Sequence, residues 1–114
     1  MLTNSFKVWS IEKQSWVYFN IGNIPTWVDP SEIEQGIGVF INEEELFTND
    51  IIKGKLQNET DEYIGRLGFE DGCVVVYTTD PSTPCLYLTV FDYNKLEKLG
   101  TVLENPELLK EGVI

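Results

Sequence analysis

Two stretches constrain the fold more than any other feature of the sequence: CVVVYTT at residues 73–79 and CLYLTVF at residues 85–91. Both are rich in β-branched and aromatic residues and are apolar at every other position and at most positions between. A strand with two apolar faces is a central strand, covered on both sides. DPSTP lies between the two stretches as a loop. DEYIGRLGF enters CVVVYTT through EDG, a hairpin turn with glycine where positive φ is needed.

If the two apolar strands pair across DPSTP, Thr79 lies near Cys85 and Cys73 near Phe91. The thiols then sit at opposite ends of the hairpin, roughly 20 Å apart along the strand. A disulfide reaches only about 7 Å between Cα atoms. Two free, buried thiols are therefore expected.

SFKVWSIEKQSWVYFNIG reads as a further hairpin, turning near Glu12–Ser15. With Ile11 opposite Trp16 and Trp9 opposite Tyr18, one face holds Trp9, Ile11, Trp16 and Tyr18. The other holds Phe6, Val8, Val17, Phe19 and Ile21. NIPTWVDPSEIEQG follows as a loop with a short helical turn, capped by Asp29 with Pro30 at the first helical position. GIGVFI is a short strand.

Residues 43–53 read as a helix. Asn42 is a good N-cap, Glu43, Glu44 and Glu45 oppose the positive end of the helix dipole, and Leu46, Phe47, Ile51 and Ile52 recur at near-helical spacing. DYNKLEKLG and ENPELLKEG repeat that grammar with Asp92 and Asn105 as caps and Gly100 and Gly112 as stops. The expected fold is α+β: an antiparallel sheet of about six strands with two or three short helices packed on it. A β-sandwich-like arrangement is the alternative. At 114 residues the chain is read as a single domain, residues 1–114.

The chain contains no histidine. Ser-His-Asp and Cys-His catalysis are thereby excluded, and two cysteines alone cannot build a common zinc site. QGIGVF is a lone G-x-G without a phosphate-binding lysine, and NEEELFTND lacks the alternating ligands and glycine of a calcium loop. No enzyme activity, cofactor or metal is expected.

Charge is the remaining signal. The chain carries 19 acids against 8 bases, a net −11. That sign disfavours direct binding to nucleic acid or to an anionic membrane and favours a basic protein partner. The imbalance is local: residues 29–71 hold twelve acids and three bases, whereas residues 1–28 hold one acid and two bases. Helix initiation explains Glu43–Glu45, but it does not explain the acids gathered around them. The candidate partner-binding residues are therefore Asp29, Glu32, Glu34, Glu43, Glu44, Glu45, Asp50, Glu59, Asp61, Glu62, Glu70 and Asp71. Trp27, in a proline-flanked loop, is added as an aromatic anchor.

The N-terminal residues lack the basic start and apolar core of a signal peptide, which points to the cytoplasm. Small acidic domains without catalytic residues are typical of immunity proteins, which neutralise toxins that are often basic nucleases. An immunity protein is the leading reading. The alternatives are an assembly or adaptor protein of a phage or mobile element, oligomerising through its aromatic face, and a carboxylate- or metal-dependent enzyme.

Overall fold

Two pairs of consecutive positive-φ residues set the architecture: Asn42 and Glu43 at 51° and 69°, and Asp71 and Gly72 at 51° and 80°. Both are two-residue loops joining antiparallel strands, with the both-positive pattern of a type I′ turn, whose twist matches that of the flanking strands. Each turn folds one strand directly back along another.

The computed structural model describes residues 5–20, 22 and 24–109. The chain forms two compact units, Met1–Phe47 and Thr48–Ile114. In the first, β1 (Ser5–Ser10), β2 (Ser15–Asn20), β3 (Glu34–Ile41) and β4 (Glu44–Phe47) form an antiparallel sheet in the order β2-β1-β3-β4. In the second, β5 (Asp50–Lys55), β6 (Glu62–Glu70), β7 (Cys73–Thr78), β8 (Cys85–Tyr87) and β9 (Glu97–Thr101) are ordered β8-β7-β6-β5-β9, again antiparallel throughout. Val8, Ile37, Leu46 and Phe47 are buried in the first unit. Ile51, Ile52, Leu67, Val75, Val76, Leu88, Phe91 and Leu96 are buried in the second.

The α+β expectation is overturned. The longest helical segment among the described residues is a four-residue 3-10 turn, Pro106–Leu109, and the strands number nine rather than about six. The helix read into residues 43–53 is instead the second half of one turn, then β4, a two-residue link, and β5. Its apolar residues Leu46, Phe47, Ile51 and Ile52 are buried positions of two short strands. Asn49 at φ 67° makes the link possible. DYNKLEKLG gives only a 3-10 turn at Tyr93–Lys95, capped by Asp92, before its leucines enter β9. The third expected helix reduces to the Pro106–Leu109 turn, and its Gly112 end lies outside the described residues. The short turn at Pro30–Glu32 is present, with the Asp29 carboxylate accepting from Ser31 N at 3.0 Å.

Register differs too. In the first hairpin Trp9 faces Trp16 and Lys7 faces Tyr18, two residues from the expected pairing, so Ile11 falls in the turn. An even slip leaves each residue on its own face; the expected Ile21 position lies outside the described residues. Between β7 and β8, Tyr77 pairs with Cys85, again a slip of two. CLYLTVF is also not a central strand: after Tyr87 it turns into 3-10 at Leu88–Val90, and Phe91 bridges to Leu56. Both cysteines are free, as expected, but exposed rather than buried. Cys73 begins the inner strand β7 and Cys85 the outer strand β8.

Candidate functional site

The twelve acids of residues 29–71 separate by position in the strands. Two are sealed inside. Glu34 pairs with Lys7 at 3.7 Å, both side chains being almost wholly buried. The Lys7 ammonium also lies 4.2 Å from the Trp16 ring centre and 4.8 Å from that of Phe47, so aromatic faces share in compensating its charge. Asp50 is wholly buried, with Lys98 Nζ at 3.6 Å. Both carboxylates are thus buried in their units rather than displayed at the surface.

Glu45 is half-committed. Strands β3 and β4 lose register between Gly36 and Phe40, and the irregularity turns Gly38 N–H toward the Glu45 carboxylate at 3.2 Å. Asp29 is exposed but spends one oxygen on its own 3-10 turn, which lowers its pKa: backbone and side-chain bonds from Ser31 favour the carboxylate.

The other eight acids are all exposed. Glu32 ends its 3-10 turn. Glu43 and Glu44 form the tip of the β3–β4 hairpin. Glu70 and Asp71 form the tip of the β6–β7 hairpin, and Glu59, Asp61 and Glu62 cluster where β5 returns as β6. Within the second unit these last two groups stand at opposite ends of β6, roughly 26 Å apart for a strand of this length. They are two acidic tips, not one patch. Trp27 is 54% exposed in its loop.

The described cations are largely turned inward or onto acids of the same unit. Besides Lys7 and Lys98, Lys53 reaches Glu97 at 3.5 Å and Lys95 reaches Asp92 at 4.0 Å. Arg66 lies over Tyr77, 4.3 Å from its ring centre. That ring occupies the space above Gly68, where a Cβ would approach it to 2.6 Å. The Tyr77 hydroxyl donates to Phe69 O at 3.4 Å. Desolvation first, and Glu70 second, hold the Tyr77 pKa above its ordinary value. Cys85 Sγ lies 3.6 Å from Glu70 Oε2. Desolvation of the sulfur, then that carboxylate, push its thiol pKa up, the opposite of what a nucleophilic cysteine needs.

Two open grooves lie in the second unit. One, of about 420 Å³, is lined by Gln57, Asn58, Thr89, Phe91, Asp92 and Tyr93; the other, of about 350 Å³, contains Arg66, Tyr77 and Asp80. Neither brings two carboxylates together, as glycoside hydrolysis requires. Among the described residues no group of three or more His, Cys, Asp or Glu side chains could hold a metal ion. No helix among them is long and apolar enough to cross a membrane.

Sequence reasoning did not single out the exposed Phe40, Tyr87 and Tyr93.

These features define a two-unit, antiparallel all-β chain whose exposed carboxylates are concentrated at turns. The family model for YopX protein matches residues 10–110, most of both units, and the chain belongs to that family. None of the curated proteins matches it.

Proposed function

We propose that this chain is a small cytoplasmic binding protein that engages a basic protein partner through its acidic turns. The observation that supports this reading most is the segregation of charge. Two cations are drawn into pairs with buried carboxylates, Lys7 with Glu34 and Lys98 with Asp50, while Glu43, Glu59, Asp61, Glu62, Glu70 and Asp71 project from turns and strand ends. Solubility alone is served equally well by mixed charges. A one-signed surface attracts an oppositely charged partner over a distance and raises its association rate.

The partner class that fits best is a basic toxin domain. Such a domain is cationic because it acts on a polyanion, and carboxylates lying in its groove would block it sterically and electrostatically. The protein then acts as an inhibitor rather than an enzyme.

The test uses the whole chain as bait in a lysate of its native cell, eluting with rising salt. A single basic protein released by salt, whose activity falls when the chain is added back, is the expected result. Retention of no basic protein, or of one whose binding is indifferent to salt, would overturn the reading.

A further inference from the structure

The groove of about 350 Å³ in the second unit holds the chain's only arginine. Arg66 on β6 stands opposite Tyr77 on β7, and its guanidinium lies over the Tyr77 ring, 4.3 Å from the ring centre. Gly68 leaves room for that ring, and the Tyr77 hydroxyl is tied to Phe69 O, so the platform under the guanidinium is held in place. Lys7, Lys53, Lys95 and Lys98 each lie beside a carboxylate, whereas among the described residues none pairs with Arg66.

The loop from β7 to β8 brings Asp80, Pro81 and Pro84 to the same groove. Asp80 and Arg66 carry opposite charges there, yet they make no ion pair with each other. One Asp80 oxygen accepts from Ser82 N at 2.9 Å, and no hydrogen bond from a described residue reaches the other. The loop is fixed by its own bonds. Thr78 N donates to Pro84 O at 2.9 Å, Thr83 N to Asp80 O at 3.1 Å and Asp80 N to Thr78 Oγ1 at 3.2 Å, while the Thr78 hydroxyl donates to Thr83 O. A site whose walls are set beforehand loses less freedom on binding.

We infer that this groove binds a small zwitterion, a free α-amino acid with an apolar side chain. Arg66 takes the carboxylate, Asp80 the ammonium, and Pro81, Pro84 and Leu109 the side chain. The two charges select this class. A simple anion drawn to Arg66 meets the Asp80 carboxylate, and a simple cation drawn to Asp80 meets the guanidinium. A ligand bearing both charges satisfies each. It also has no net charge, so a −11 chain does not repel it. The guanidinium offers a carboxylate two parallel N–H donors, which fixes the ligand's orientation. The volume falls at the lower end of the range for small-ligand pockets, about 300–1,000 Å³, as a ligand of this size requires.

The single arginine supplies its own probe, because its Nε–H gives the one arginine side-chain signal in a nitrogen–proton correlation spectrum of the full chain. L-leucine should shift that signal saturably. N-acetyl-L-leucine lacks the ammonium and L-leucinamide lacks the carboxylate, and each should bind about tenfold more weakly or worse, the loss of one charge-assisted hydrogen bond. Asp80→Asn keeps an oxygen for Ser82 N, so the loop should hold. That variant should bind leucine about tenfold more weakly and N-acetyl-L-leucine no less well than the wild type does. Arg66→Gln, followed through the Thr79 and Asp80 amide signals, should lose leucine binding. No saturable shift up to the solubility of leucine would overturn the inference. Equal binding of the three compounds, tighter binding of N-acetyl-L-leucine, or leucine affinity unchanged in Asp80→Asn would overturn it too.

Discussion

The two sheets of this protein solve the same problems with different residues. Each is closed by a hairpin with two positive-φ turn residues, and each sets a lysine beside a buried carboxylate. In the first sheet the turn is Asn42-Glu43 and the pair is Lys7–Glu34, with both partners sealed. In the second the turn is Asp71-Gly72 and the pair is Asp50–Lys98, with the lysine still 22% exposed. The first sheet takes the costlier option both times. A glutamate in the left-handed region carries strain that glycine does not, and a lysine cut off from water depends wholly on its neighbours.

The largest expected effect follows from the sealed pair. Lys7→Met should cost about 3–5 kcal/mol by chemical denaturation, because it leaves a buried carboxylate without its ammonium. Adding Glu34→Leu should recover most of that loss, since replacing both charges with apolar groups of similar size is often neutral or stabilising. Asp50→Asn should cost less, about 1–3 kcal/mol, because Lys98 already reaches solvent. Equal losses in the two sheets would erase the distinction between them.

The turns come next. Gly72→Val should destabilise by about 1–3 kcal/mol, since a β-branched residue is strained at that φ. Glu43→Gly should stabilise by up to about 1 kcal/mol for the converse reason. If Glu43→Gly destabilises, the turn is held by something other than its backbone geometry.

Those turns also mark the limit of what could be read in advance. EDG announced its hairpin because glycine stands where positive φ is required. Asn42-Glu43 carries no glycine, and the glutamates that follow are equally good first-turn residues, so the segment resembled a helix start. The better signal was Ile51-Ile52, a β-branched pair that favours strand over helix. In the first hairpin the faces were legible although the register was not, because alternation fixes parity and turn length fixes register. The ion pairs left no local trace. Lys7 meets Glu34 only because β1 pairs with β3, and Asp50 meets Lys98 only because β9 returns to β5. Thus two of the twelve candidate acids were removed from the surface by long-range pairing, which no window of sequence displays.

A smaller effect concerns the thiols. Cys73 and Cys85 are both exposed, but Cys85 lies beside Glu70 and its pKa is raised. It should alkylate more slowly than Cys73 at mildly alkaline pH, and Glu70→Gln should speed its reaction severalfold by removing one of the two causes. Unchanged kinetics would show that desolvation alone controls the thiol.

The proposed role of the carboxylates at the hairpin tips is to face a basic partner. Its most direct measurement is the rate at which the captured partner associates with the wild-type chain and with Glu43→Gln/Glu44→Gln/Glu70→Gln/Asp71→Asn, compared at low and high salt. The variant should retain wild-type stability to within about 0.5 kcal/mol, as surface substitutions do. Its association at low salt should be slowed about tenfold or more, and the difference should shrink as salt is raised. An association rate that is the same for both proteins at every salt concentration would contradict the account.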